Sequence, residues 1–484
     1  MIASALLLLQ AASPLAVAED FTRPDADVLH YEIALTLSDS AQDIRARTTV
    51  RYLVTGGDGP LELDFDSVLV VDSVTGPAGR IPAAATHHRG LSADPGWQRR
   101  RASRGWVDKA TVAFTVEVPP TWRAVANGRL EGVDTLPHQR TRWRWRSTRP
   151  IPTYTMVVGA GRLAVTALPT LTAVPQSLWT FPEDSAFAQG PFRRATLMVD
   201  AYTKLIGAFP YSKLAHVESS TRFGGMENSS AIFYAESPYV DRSMSEDVVA
   251  HETAHQWFGD AVTERDWHHL WLSEGFASYF GPLFYELVQE PARFREVMER
   301  NRRVYMASDV VERPIIDTTE KNISRLLNEN NYPKGAWVLH LLRREVGDSA
   351  FFAGIRAYYS TFRDSTALSA DLAAVMERFA ERPLDWFFQQ WLLQPGYPRL
   401  DLAWSYEGGE LALEIRQTQP AAWGFYRVRL PVDIELENGA RESFDVEVEA
   451  RAATVLRRAL PAKPTRLVPD AEGVVLAETS VTAR

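Results

Sequence analysis

Ser245-Glu246-Asp247-Val248-Val249-Ala250-His251-Glu252-Thr253-Ala254-His255-Gln256-Trp257-Phe258 is the stretch on which the reading of the whole chain turns. Apolar residues recur along it at helical spacing, so an amphipathic helix is expected. Ser243 with Glu246 three residues on has the form of a capping box, and Gly259 stands where a glycine would stop the helix. His251 and His255, four apart, are separated by about 400° and project from one face, one turn apart, so both imidazoles can reach one metal ion. Glu252 is about 100° round from His251, near enough to reach a metal-bound water without ligating the metal.

Catalytic zinc takes three protein ligands and keeps a position for water. The chain has no cysteine, which excludes thiolate ligands, disulfides and thiol nucleophiles and leaves His, Asp and Glu. Two candidates follow the helix. One is His268 or His269; the other is Glu274, near the start of a second helix in Leu272-Ser273-Glu274-Gly275-Phe276-Ala277. Eighteen residues separate His255 from Glu274, enough for a helix end, a loop and an antiparallel return. Glu274 is assigned as the third ligand, with one Zn²⁺ per chain, and His268 and His269 are expected on the loop as rim or surface residues. The metzincin arrangement needs a glycine and a further histidine where Phe258 and Ala261 stand, and is excluded.

Outward from this centre, helical periodicity runs from Phe192 to Leu393, interrupted by strand character between Leu214 and Tyr234. Before it, two-residue alternation (Tyr31 to Leu37, Arg47 to Tyr52, Leu61 to Phe65, Thr111 to Val118, Arg140 to Arg146) argues half-buried antiparallel strands. After Leu400 the alternation returns, with turns at Gly408-Gly409 and Asn438-Gly439. The expected fold class is multidomain α+β: an N-terminal antiparallel β domain at 19–165, a mostly helical catalytic domain at 166–398 and a small C-terminal β-sandwich at 399–484. Ile2 to Leu9 is apolar apart from Ser4, and Ala16-Val17-Ala18 fits a small-x-small cleavage site, so residues 1–18 read as a secretory signal. No later run approaches the roughly 20 apolar residues of a membrane-spanning helix. No transmembrane anchor is therefore expected after cleavage, and a secreted or periplasmic location is. The net charge of −9 provides no cationic field, so nucleic acid is not an expected partner.

With these residues in view, the chain resembles the zinc aminopeptidases of the aminopeptidase N and leukotriene hydrolase family, whose metal motif is H-E-x-x-H, eighteen residues, then E. Gly224-Gly225-Met226-Glu227-Asn228 is similar to the family's G-x-M-E-N segment, and Tyr332-Pro333-Lys334-Gly335-Ala336 to the segment with its catalytic tyrosine. Gln390-Trp391 and Gly396-Tyr397-Pro398 also look like family sequence. The resemblance covers about residues 25 to 475 and implies a thermolysin-like catalytic domain. It further implies that Glu252 acts as general base and acid, that Tyr332 donates its hydroxyl to the oxyanion, and that Glu227 holds the substrate's α-amino group. Glycines 224 and 225 would let an extended peptide lie along a strand edge, with Met226 lining the first side-chain pocket.

The implied function is removal of N-terminal residues from peptides with a free amino end. Two alternatives remain: a thermolysin-like endopeptidase, and a peptide-binding homologue that has lost turnover. The segment His87 to Trp106 departs from the family pattern, being short, Arg-rich and without strand periodicity. It reads as a sequence artefact before it reads as a basic surface loop. Amine recognition would then rest on Glu227 without a second residue from the β domain.

Overall fold

The computed structural model describes residues 26–39, 44–55, 72–76, 79–81, 108–169, 171–221 and 223–484. The expected signal at 1–18, the strand at Leu61 to Phe65 and the segment 87–106 lie outside them. At the N-terminal side, β1 (Ala26–Thr36), β2 (Arg45–Val54), β3 (Lys109–Val118), β4 (Arg129–Thr135) and β5 (Thr141–Pro152) form one sheet in the order β2-β1-β3-β5-β4. Alternate residues of β3, Val112, Phe114, Val116 and Val118, are buried. β1 runs parallel to β3, in register from His30 opposite Thr111 to Thr36 opposite Glu117, and the other pairs are antiparallel. The two-residue pattern reports which face is buried but not strand direction, so this parallel pair was not expected.

A second, mixed sheet carries the catalytic region: β6 (Ala164–Ala167), β7 (Gln176–Thr180), β8 (Leu214–Ser219), β9 (Gly225–Met226) and β10 (Ala231–Ala235), in the order β6-β7-β8-β10-β9. The expected boundary at 165 falls on β6, which pairs with β7. β8 and β10 are buried along nearly their whole length, the mark of strands covered on both faces. β9 stands at the edge of the sheet, antiparallel to β10.

Helices pack beside this sheet: α1 (Ala195–Leu205), α2 (Glu246–His255), α3 (Trp271–Leu287), α4 (Pro291–Ala307), α5 (Gly335–Val346), α6 (Asp348–Phe362) and α7 (Ser369–Ala380). α2 is capped by Ser245, whose hydroxyl accepts from the Val248 amide at 3.4 Å, and not by Ser243 as expected. α4 was missed from sequence because its buried stripe is narrow, Phe294, Val297, Met298 and Tyr305 among many arginines. Small residues set the helix approaches. A Cβ on Gly281 of α3 would lie 3.3 Å from the His251 Cα, and one on Gly275 would lie 2.9 Å from the Gly335 Cα of α5.

At the C-terminal side are β11 (Arg399–Glu407), β12 (Glu410–Gln417), β13 (Val428–Leu436), β14 (Arg441–Val448), β15 (Ala453–Ala459), β16 (Pro464–Pro469) and β17 (Glu478–Ala483). They form two sheets, β15-β12-β11-β17 and β14-β13-β16. Leu411, Leu413, Ile415, Leu430, Val432 and Ile434 are buried from both, as the alternation anticipated. Multidomain α+β, with β sheets flanking a helical catalytic region, is thus the fold.

Candidate metal centre

α2 and α3 bring three side chains to one point. His251 Nε2 and His255 Nε2 are 3.1 Å apart, and Glu274 Oε2 lies 3.4 Å from the first and 3.2 Å from the second. Donors sharing a tetrahedral ion at ~2.0–2.1 Å must stand ~3.3 Å from one another, so this triangle has the size of a zinc site. Glu274 Oε2 is buried and has no hydrogen-bond partner among the described residues, an uncompensated acceptor aimed at the triangle. The other carboxylate oxygen, Oε1, accepts from the Tyr332 hydroxyl at 2.6 Å. His255 Nδ1 is 3.1 Å from the Phe258 carbonyl and 3.2 Å from Ser273 Oγ. If Nδ1 donates to that carbonyl, Nε2 is left with its lone pair toward the metal position. The donor set and spacing fit zinc.

Gly259 makes the turn after α2 possible. Its φ is +113°, and a Cβ there would strike Ser273 Oγ at 2.4 Å. The helix itself stops at His255, short of the expected Gly259, which instead turns the chain and lets Ser273 approach His255.

Glu227 and Glu252 stand on the other side of His255, with ligand-type atoms of the three within 4.8 Å of one another. Both carboxylates are buried. Burial, opposed by His255 and reinforced by Glu227 and Glu274, pushes Glu252 up to about 8. Burial also raises Glu227, against the pull of His255 and a hydrogen bond from Tyr154. Glu274 goes the other way: although burial opposes it, His255 and His251 hold its carboxyl well below the usual carboxylate range. Burial and the Glu274 carboxylate raise the Tyr332 phenol, keeping it protonated and able to donate.

The Gly-Gly-Met-Glu-Asn segment is tied to the metal helix by Gln256. Its side chain donates to the Glu227 carbonyl and to Asp260 Oδ2, both at 2.9 Å, and accepts from the Ser230 amide at 2.7 Å. Gly225 and Met226 form β9, with Gly225 lying directly against the Glu252 side chain. Asn228 is buried and donates to the Thr155 carbonyl at 3.4 Å, so it serves the loop behind Glu227. Tyr332 sits in a π-helical turn, Asn330–Lys334, that leads into α5 and accommodates Pro333.

Residues 195–391 match the Peptidase family M1 domain. Over these residues the chain is a distant homologue of the M1 peptidases. It is 31% identical over 241 residues to "Probable aminopeptidase 2" of Sulfurisphaera tokodaii, covering 47% of this chain and 30% of that protein. Against glutamyl aminopeptidase of Sus scrofa it is 26% identical over 313 residues, 61% of this chain and 33% of the relative. Against aminopeptidase N of Lactococcus lactis the figures are 28% over 276 residues, 53% and 32%. The chain therefore spans about a third of the length of these M1 relatives.

His268 and His269, expected on the rim or surface, are buried. His268 Nδ1 is 2.8 Å from Asp266 Oδ1, and His269 Nδ1 is 2.7 Å from Ser369 Oγ, so hydrogen bonding holds both inside. Two residues near the site escaped the sequence reading. Tyr154, from the loop after β5, hydrogen-bonds Glu227. Lys109 at the start of β3 is partly buried and donates to the Asp260 and Ala261 carbonyls at 2.8 and 2.7 Å, bracing the turn after α2. A tyrosine after Pro-Thr and a lysine opening a strand carry no single-sequence signal; only the contact between domains gives them meaning.

Proposed function

We propose that this chain is a zinc aminopeptidase, with His251, His255 and Glu274 holding the ion, Glu252 and Tyr332 catalysing, and residues 224–228 binding the peptide. The observation that carries it is the buried Glu227 carboxylate within 4.8 Å of Glu252 and His255, at the end of an edge strand. When bound, zinc supplies Lewis acidity at the scissile carbonyl and a water acidified from ~15.7 toward ~7. A peptide extended along β9 pairs with an edge whose Gly224 and Gly225 offer no side chains. Glu227 then meets the α-ammonium, a charge-assisted contact beside the metal trio that would set exopeptidase register. Glu252 accepts the water's proton and returns it to the leaving amine, a role suited to a buried carboxylate raised above its ordinary range. Tyr332 swings its hydroxyl from Glu274 Oε1 to the developing oxyanion.

Aminopeptidase names on all three relatives support the reading, and it places the domains at 19–165, 166–398 and 399–484. Action outside the cytoplasm is part of the same proposal, resting on residues 1–18 and tested by sequencing the amino end of the natural protein. The principal experiment measures hydrolysis of aminoacyl-arylamides and of their N-acetylated forms by zinc-replete protein. Cleavage of the free-amine series alone, with E252Q reduced about 10²- to 10⁴-fold at unchanged zinc content, is expected. Equal cleavage of acetylated peptides would assign an endopeptidase, and zinc binding without turnover would leave a peptide-binding homologue.

A further inference from the structure

The far end of α5 carries a second feature unconnected with the metal trio. There Arg344 of α5, Trp386 and Trp391 from 385–393, and Arg427 and Arg429 at the start of β13 line a recess between the helical region and the C-terminal sheets, with Glu447 on its wall. Arg344 lies about 14 Å along the helix axis from Gly335, so the recess is remote from Tyr332.

Its charges do not balance locally. Arg429 is satisfied by Asp445 at 2.7 Å, with Glu447 at 4.0 Å, and Glu345, a second carboxylate on the wall, is taken by Arg382 at 2.7 Å. Arg344 is half-buried and has neither an ion pair nor a hydrogen bond among the described residues. Arg427 lies 4.5 Å over the Trp386 ring, and its guanidinium likewise has no carboxylate partner. The backbone of Arg427 is fixed on both sides by Gln390, which accepts from its amide at 2.7 Å and donates to its carbonyl at 3.0 Å. Burial lowers the Arg344 pKa, Asp445 and Asp470 offsetting part of that. A desolvated guanidinium without a partner is costly to maintain, and a planar fork of donors matches an oxyanion.

We propose that this recess is a binding site for a single oxyanion group, a carboxylate or a phosphate, held by Arg344 and Arg427 against Trp386. The recess has room for about two to three waters' worth of free volume, enough to admit a small oxyanion group. Arg344 and Arg427 both line the recess, and each guanidinium carries a fork of N–H donors that matches an oxyanion. The site is independent of the peptidase reading, since neither arginine belongs to the catalytic region's metal or peptide residues.

The test is calorimetric titration and thermal denaturation of the full chain with inorganic phosphate, and separately with acetate, at an ionic strength held constant with sodium chloride. Saturable binding and a rise in Tm are expected with at least one of the two, and the stronger response distinguishes phosphate from carboxylate. R344Q and R427Q should each weaken that affinity about tenfold or more, and R344K, which keeps the charge without the fork, should weaken it too. R427Q alters an exposed side chain, so folding of this variant is secure even if R344Q fails. Absence of any response beyond the chloride control, or a response retained in the folded arginine variants, overturns the proposal.

Discussion

Replacing Gly275 by alanine tests the helix crossing that holds the site together. The new Cβ would lie 2.9 Å from the Gly335 Cα, 3.0 Å from its carbonyl carbon and 3.2 Å from the Asn331 carbonyl oxygen. All three are backbone atoms, so no rotamer change relieves the clash. Carbon atoms prefer ~3.5–4.0 Å, so α3 and α5 must part by roughly 0.6–1 Å. Overpacking of this kind costs about 1–3 kcal/mol, or about 2–12 °C in Tm for a unit of some two hundred residues. Function should suffer more than stability. Gly275 follows Glu274, and Asn331 and Gly335 flank Tyr332, whose hydroxyl lies 2.6 Å from Glu274 Oε1. Displacing a reacting group by ~1 Å can cost about 10²-fold in rate. G275A should therefore fold with a lowered Tm, retain zinc and lose at least about tenfold in kcat. Gly161→Ala, with nothing within 4 Å of its new Cβ, is the control and should leave both unchanged. The measurements are calorimetric Tm, elemental zinc and arylamide kinetics. A G275A protein with wild-type Tm and kcat would show that the crossing does not position the site.

Y332F removes a donor to the oxyanion and should lower kcat about 10²- to 10³-fold with zinc content unchanged, and a loss below threefold would count against the role. Chelation should lower Tm, because His251 and His255 then lose what sets them against Glu274, and added zinc should restore it; an unchanged Tm on verified metal removal would refute the site. Glu218, on β8 and outside the metal trio, is pushed by burial from 4.5 up to about 8. The folded protein keeps a proton that the unfolded chain releases, so this group lowers stability progressively as pH rises from about 4.5 to about 8. E218Q cannot titrate, so its Tm relative to wild type should be more favourable at pH 8 than at pH 5. A pH-independent difference would contradict the shift.

Much of the catalytic region was legible because its signals are local. His251 and His255 share a helix face whatever surrounds them, and the second helix expected to open near Glu274 is Trp271–Leu287. Glu274 was reachable by elimination and length, since a ligand eighteen residues on needs only a loop and a return. Less local features were misread. The Ser243 cap lost to Ser245 because the capping position depends on where the backbone leaves extended geometry. His268 and His269 looked like loop surface, but Asp266 and Ser369 satisfy them inside.

From its residues alone the chain determined most of the elements and the spacing that makes His251, His255 and Glu274 a candidate ligand set with Glu252 beside it, because periodicity and helix geometry act over a few residues. Tertiary structure decided how these parts meet: the parallel pairing of β1 with β3, the glycine-to-glycine contact of α3 with α5, and the approach of Glu227, Tyr154 and Lys109 from distant segments. Such contacts depend on which surfaces pack together across a hundred residues or more, and no local propensity encodes that choice.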